Sequence, residues 1–171
     1  MKSSRSIFIV AAFVAAIAVG GIALALRSFT AASPAPDVAY TMLNGSTSSI
    51  KQLRGKVVLL NFWATSCTTC VQEMPKIVAM HEKYAARGYE TVAVAMSYDT
   101  PAYVVNFAQT RKLPFNVAID KTGEIAKRFG DVTLTPTSVL IDKRGEIVKR
   151  FVGEPDFVAL HKLVEKLLAE T

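Results

Sequence analysis

The sequence predicts an α/β domain with a mixed central sheet flanked by helices, preceded by one N-terminal transmembrane helix. Two segments, Lys56–Trp63 and Tyr89–Ser97, are almost continuously apolar, which is typical of strands buried on both faces of a sheet. Amphipathic segments alternate with such strands, and a long uncharged segment precedes them all. With 171 residues, 51% of them apolar and 20% charged, the composition suits one compact domain with a short appendage and excludes global disorder.

The uncharged segment covers residues 7–26 and contains no proline. At about 1.5 Å per residue, a helix of this length matches a hydrocarbon core of roughly 30 Å. Because Lys2 and Arg5 outweigh Arg27, we expect residues 1–6 to be a cytoplasmic n-region and the helix to be a single-pass anchor in the cell inner membrane. The domain that follows would then lie in the periplasm. A secretory signal peptide, cut shortly after the apolar segment, is the alternative.

The basic balance of the chain does not indicate nucleic-acid binding. The formal net charge is +6, and Lys2, Arg5 and Arg27 of this excess flank the predicted anchor. The other lysines and arginines are interspersed with acidic residues and form no basic cluster with interleaved aromatic residues. We therefore expect no nucleic-acid partner.

The exported part begins with a tether and a short hairpin-like segment. Residues 27–37 carry two prolines, which cannot continue the preceding helix, and the domain itself is expected over residues 38–171. Val38–Leu43 is predicted as a short strand closed by the turn Asn44-Gly45. A serine cap then favours a brief helix, and Lys56–Trp63 follows as the central strand.

The rest of the domain alternates helices and strands. Val71–Arg87 has apolar residues at helical spacing, Pro75 within it, and Gly88 after it as a stop. Tyr89–Ser97 is the second buried strand. Further helices are expected at Pro101–Arg111, Lys121–Phe129 and Pro155–Leu168, and further strands at Asn116–Ile119, Thr137–Ile141 and Glu146–Val152, of which the last two form a hairpin.

Cys67 and Cys70, which are the only cysteines of the sequence, lie between the central strand and the helix after it. Unpaired N–H groups and the helix dipole stabilise a thiolate at a helix N-terminus, so we expect a lowered pKa for the Cys67 thiol. Cys70 would lie one turn further in and be less exposed. Such a pair can cycle between dithiol and disulfide, with Cys67 as the nucleophile and Cys70 as the resolving thiol.

A structural bridge and half of a metal site are the alternatives for this pair. A bridge that closes so small a loop removes little entropy from the unfolded chain. A metal site needs further ligands, and both histidines, His81 and His161, are expected to be solvated on amphipathic helices. We therefore predict redox chemistry, with no metal and no cofactor.

Two motifs carry a resemblance to a known family. Phe62–Cys70 with Glu73-Met74-Pro75, and Thr135-Pro136-Thr137 with the apolar strand after it, resemble the membrane-anchored TlpA/ResA branch of the thioredoxin superfamily. The resemblance covers the chain from about residue 37 onward and implies a thioredoxin-like fold with thiol-disulfide oxidoreductase activity. It also implies that the Thr135–Pro136 bond is cis and faces the disulfide. From the sequence alone, an ordinary turn proline is equally consistent.

The resemblance suggests roles for four further residues. The Thr135 backbone would pair with an extended partner chain, and Trp63 would either pack in the core or shield the edge of the site. Asn61 stands where cytosolic thioredoxin carries a buried aspartate, so the proton of Cys70 must go elsewhere. Asp99 approximately matches an acidic residue of this branch; either it assists deprotonation of Cys70, or it caps the next helix.

The expected function is reduction of specific exported disulfides. The resemblance implies partners such as apocytochrome c or copper-site assembly proteins, with electrons supplied by a membrane donor. Thr68 and Thr69 lack the Pro-His pair of strongly oxidising relatives, which favours a reductant. A thiol peroxidase of the same fold is one alternative, although Leu60 and Ala64 occupy the positions of its proline and threonine. A copper-binding chaperone that uses both thiolates and a histidine is the other.

Overall fold

The computed structural model describes residues 33–170. The predicted n-region, the predicted anchor over residues 7–26 and the first part of the tether lie outside the described residues. Within residues 33–170, no helix combines the length and the apolar character that crossing a membrane requires.

Among the described residues, six strands form one mixed sheet. The sequence predicts the mixed arrangement and five of these strands, but not the short strand Ser33–Pro34. In spatial order the six strands are β1 (Ser33–Pro34), β8 (Glu146–Val152), β7 (Thr137–Ile141), β4 (Val57–Trp63), β5 (Tyr89–Ala95) and β6 (Asn116–Ile119). Strand β4 pairs in parallel with β5 and antiparallel with β7, and β5 pairs in parallel with β6. A separate antiparallel hairpin consists of β2 (Ala39–Thr41) and β3 (Thr47–Ser49).

The central position of β4 explains its apolar sequence. All seven of its residues are buried. Alternate side chains point to opposite faces, so this strand contributes Leu59 and Trp63 to one core cluster and Leu60 and Phe62 to the other. The end of β4 is therefore held firmly from both faces of the sheet, and it is from this end that the chain leads to the cysteines.

In the part of the chain that the structure describes, four α-helices cover the sheet. They are α1 (Thr68–Tyr84), α2 (Pro101–Thr110), α3 (Glu124–Arg128) and α4 (Phe157–Ala169). Helix α1 begins three residues before the predicted Val71, because Cys67 is itself its N-cap residue. After α1, a single tight turn leads to Gly88, whose φ of 90° suits glycine.

Two segments differ from the sequence-based expectation. Ser33–Pro34, expected in the tether, pairs with β8 as strand β1, a contact too short to give a sequence pattern. Helix α3 is shorter than predicted and begins at Glu124. The Asp120 carboxylate accepts hydrogen bonds from the backbone N–H groups of Ile125 and Ala126 in the first turn of this helix, so the residues between Asp120 and Glu124 form a turn before it.

Candidate active site

Cys67 and Cys70 form a disulfide at the start of α1, with their Cα atoms 5.2 Å apart. The Cys67 Sγ accepts a hydrogen bond from the Cys70 backbone N–H at 3.2 Å, so the sulfur caps the helix. Cys67 is partly exposed, whereas Cys70 is fully buried. An incoming partner can therefore reach only the first of the two sulfur atoms.

The turn before Cys67 is anchored by Asp99. The Asp99 carboxylate accepts hydrogen bonds from the Thr65 backbone N–H at 2.6 Å and from the Thr65 hydroxyl at 2.7 Å. The N-cap residue of α2 is Thr100, and no Asp99 bond to a helical N–H group occurs within the described residues, so the capping alternative is not what the structure shows. Proton transfer between Asp99 and Cys70 stays a prediction.

The Thr135–Pro136 peptide bond is cis, as the resemblance implies. Phe62 of β4 pairs with Thr137 of β7, so Pro136 lies at the end of β4 from which the chain leads to the disulfide. The Thr135 hydroxyl lies 3.2 Å from the Tyr98 hydroxyl. Thr135 is partly exposed, and the neighbouring Tyr98 and Leu134 side chains are largely exposed. This rim offers a partner chain both polar and apolar contacts.

A buried polar network lies in the core beneath the first turn of α1. The Asn61 Nδ2 donates hydrogen bonds to Glu73 Oε1 at 3.0 Å and to Ser138 Oγ at 2.9 Å. Glu73 and Asn61 are fully buried, and Ser138 is 1% exposed. Since Glu73 lies three residues after Cys70 on α1, the two side chains are neighbours on one face of the helix.

Glu73 is the candidate functional residue that sequence analysis missed. Burial raises the pKa of its carboxyl from 4.5 to about 7, and the carboxylate of Glu154 adds to this effect. The Asn61 hydrogen bond and the Lys76 ammonium act in the opposite direction. A signal was present in the sequence: Glu73 interrupts the apolar face of α1 next to Met74 and Ile77, where a solvated residue is not expected.

Trp63 is a core residue. Its side chain is completely buried, its ring packs 5.1 Å from that of Phe107, and it shares a core cluster with Cys70. The structure therefore supports core packing, the first of its two proposed roles.

The structure does not bring either histidine to the cysteines. His81 is 8% exposed and packs against Tyr89 and Phe115, so the expectation that it is solvated was wrong. It lies eleven residues beyond Cys70, about 16 Å along α1. His161 contacts Tyr84 at the far end of the same helix. Among residues 33–170, no three metal-binding side chains cluster.

The strand order, with a Cys-x-x-Cys disulfide after the central strand and a cis-proline at the start of its antiparallel neighbour, defines a protein of thioredoxin-like fold. Comparison with family models makes the assignment more specific. The chain belongs to the Redoxin family, whose model matches residues 30–165.

Similar proteins agree with this assignment. A thiol-disulfide oxidoreductase ResA from Bacillus thuringiensis is 41% identical over 100 residues, which cover 58% of this chain and 57% of that protein. ResA from Oceanobacillus iheyensis is 32% identical over 136 residues, covering 72% and 70%. The solution structure of a candidate thioredoxin from Neisseria meningitidis gives a TM-score of 0.76 at 39% identity, covering 81% and 93%. The match thus spans little more than half the length of the Bacillus relative.

Proposed function

We propose that this protein is a thiol-disulfide oxidoreductase that acts through Cys67 and Cys70. The observation that carries the proposal is the difference in exposure of two bonded sulfur atoms at one helix N-terminus: Cys67 is partly exposed and Cys70 is buried. This difference assigns the nucleophile and the resolving thiol. The two relatives named ResA, which are thiol-disulfide oxidoreductases by name, support the same chemistry.

The reaction starts from the reduced pair. The Cys67 thiolate attacks one sulfur of a partner disulfide, a mixed disulfide forms, and the second partner sulfur leaves as a thiolate. The Cys70 thiolate then attacks Cys67 Sγ, which breaks the mixed disulfide and regenerates the Cys67–Cys70 bond. Two electrons pass to the partner, whose two sulfur atoms end as thiols.

Glu73 is positioned to take the proton that Cys70 must lose. Its carboxyl lies one turn from Cys70, is buried, and has a pKa of about 7, so that both of its protonation states are populated near neutral pH. Asp99 is the second candidate acid, although Thr65 already occupies its carboxylate. Asn61 does not titrate, and we assign it the role of holding Glu73.

We infer that the partner binds as an extended segment beside Thr135. The partly exposed Thr135 lies at the edge of the site, between the exposed side chains of Tyr98 and Leu134. Backbone pairing of this kind gives affinity without a deep pocket, and the two exposed side chains would contact the residues that flank the partner's cysteine.

The cellular role that we propose is reduction of exported disulfides from a membrane anchor at residues 7–26. Tethering raises the local concentration of membrane-bound partners, and a reductant outside the cytoplasm needs a membrane electron donor. Apocytochrome c and copper-site assembly proteins are the partner classes that the family resemblance suggests. A fusion of a periplasm-active reporter to the C-terminus, with and without residues 7–26, tests the anchor and its orientation.

The decisive experiment is trapping with Cys70→Ser. This variant can form the mixed disulfide but cannot resolve it, so a covalent complex sensitive to dithiothreitol should accumulate and identify the partner. Cys67→Ser is the matched control, because it retains a buried thiol yet lacks the attacking sulfur. Equal trapping by both variants, or trapping by neither, contradicts the proposed assignment.

A further inference from the structure

Two segments flank the chain that leads from β4 to Cys67. Strand β4 lies between β5 and β7, so the segment after β5 runs on one side of this chain and the segment before β7 runs on the other. The pairing of β5 with β4 extends past the strand end, since the Met96 backbone N–H donates to the Trp63 carbonyl at 2.9 Å. Two strands that share a neighbour are about 10 Å apart. A contact between the flanking segments must therefore cross the chain that leads to Cys67.

The hydroxyls of Tyr98 and Thr135 make such a contact, at 3.2 Å. Either hydroxyl can donate, so the contact does not depend on which of them supplies the hydrogen. Tyr98 is 59% exposed and Thr135 is partly exposed, so the contact lies on the solvent side of the chain and outside the core. The Tyr98 side chain therefore lies across the face from which a partner approaches Cys67.

The backbone is held on both sides of this contact. The Asp99 carboxylate accepts two hydrogen bonds from Thr65 and so fixes the residue next to Tyr98. On the opposite segment, the Thr137 hydroxyl donates to the Leu134 carbonyl at 2.8 Å. The contact can therefore open by rotation of the Tyr98 side chain, without movement of either backbone segment.

We propose that the hydrogen bond between Tyr98 and Thr135 is a closing contact, which an extended partner must open before its cysteine reaches Cys67. The inference rests on the proposed function, in which the partner pairs beside Thr135, and adds to it a step that distinguishes between disulfides. A small disulfide needs only the partly exposed Cys67 sulfur and bypasses the contact. An extended segment also needs the space beside Thr135 that the Tyr98 side chain occupies in the closed form.

Loss of the hydrogen bond should favour the open form. Tyr98→Phe keeps the ring and removes only the hydroxyl, so opening costs less and extended partners react faster. The gain is small, because water replaces the bond whenever the contact opens. Thr135→Val removes the other hydroxyl, keeps the branched shape and should have the same effect. The reactivity of the Cys67 thiolate itself should not change, since this sulfur is bonded to the helix N-terminus and to neither hydroxyl.

The test compares two probes that carry the same activated disulfide. One is an extended peptide whose central cysteine is bonded to a thiopyridyl group, and the other is a single cysteine with that group. In both reactions the Cys67 thiolate attacks the cysteine sulfur of the probe, a new S–S bond forms and the thiopyridyl sulfur leaves as a thiolate. Its absorbance gives the second-order rate constant. The full-length protein carries Cys70→Ser and is held in detergent micelles, so only this first exchange is observed.

Tyr98→Phe should react with the peptide probe about two- to tenfold faster than the Cys70→Ser parent, and with the cysteine probe at an unchanged rate. Thr135→Val should behave in the same way. The double variant should gain no more than either single variant, because both substitutions remove the same bond. The matched control Tyr103→Phe removes the hydroxyl of another largely exposed tyrosine, on α2, and should change neither rate.

An unchanged or slower peptide reaction in Tyr98→Phe overturns the inference, and so does a double variant whose gains multiply. Equal acceleration with both probes also overturns it, because the hydroxyl would then act on the thiolate and not on access to it. If Cys67 reacts with neither probe, the proposed function itself fails. Failure of the inference is therefore distinguishable from failure of the function on which it rests.

Discussion

Replacement of Glu73 by glutamine should change how the stability of the protein depends on pH. In the folded state, burial raises the pKa of the Glu73 carboxyl to about 7, compared with 4.5 for an unperturbed group. Because the unfolded chain ionises this group more readily, folding is opposed at every pH where the unfolded group is charged. The penalty is absent below pH 4.5, grows between the two pKa values, and is complete above the folded-state value.

The size of the penalty follows from the two pKa values. They differ by roughly 2.5, which corresponds to about 3 kcal/mol at high pH. Glutamine has nearly the same shape, can still accept the Asn61 hydrogen bond and does not titrate. The difference in the free energy of unfolding between Glu73→Gln and wild type should therefore rise by about 3 kcal/mol from pH 4 to pH 8, in favour of the variant.

Urea denaturation of the oxidised proteins at pH 4 and pH 8 measures this change. His81 and His161 have the opposite effect on the pH dependence of stability. Burial lowers the pKa of both rings, so the folded state loses stability as the pH falls through 6.5. They are present in both proteins, so the difference between variant and wild type isolates Glu73. If that difference is the same at both pH values, the Glu73 carboxyl has an ordinary pKa, and the proton-transfer role assigned to it fails.

Three other substitutions test single contacts. Asp99→Asn weakens both bonds to Thr65 and should lower the free energy of unfolding by about 1–3 kcal/mol in urea denaturation; an unchanged titration of Cys70 in this variant removes Asp99 from proton transfer. Tyr84→Phe deletes a hydroxyl that contacts a histidine and a glutamate of α4, so urea denaturation should show a loss of about 1 kcal/mol, and full wild-type stability would show that these contacts contribute nothing. Trp63→Ala empties a completely buried site and should cost about 3–5 kcal/mol in the same assay; a loss below 1 kcal/mol would argue against its core role.

The sequence predicts the central strands of the sheet well because their burial requires a recognisable apolar pattern. Val57–Trp63 and Tyr89–Ala95 are buried almost throughout, and an uninterrupted apolar run is the direct signature of that environment. Strand β1 escapes prediction because two residues, one of them proline, give no periodicity. Its pairing with β8 depends on chain more than 100 positions away.

The candidate site divides in the same way. The local Cys-x-x-Cys motif predicts the placement of both cysteines, since helix capping depends only on neighbouring residues. The burial of Glu73 and His81 was not predicted because charged or polar residues on a helix are usually solvated. Whether they are buried depends on how the helix packs against the sheet. The Asn61–Ser138 contact depends on the register of strands 77 positions apart, which one sequence does not specify.

The loop between β5 and α2 contacts both the turn that precedes Cys67 and the residue that precedes the cis-proline. Asp99 binds the turn that leads into Cys67, while the adjacent Tyr98 contacts Thr135 on the opposite segment. Replacing the Tyr98 side chain while keeping Asp99 should therefore change partner preference and leave the turn that leads into Cys67 in place. Because the Tyr98 side chain is largely exposed, natural substitutions at this position alter the rim and leave the hydrophobic core unchanged.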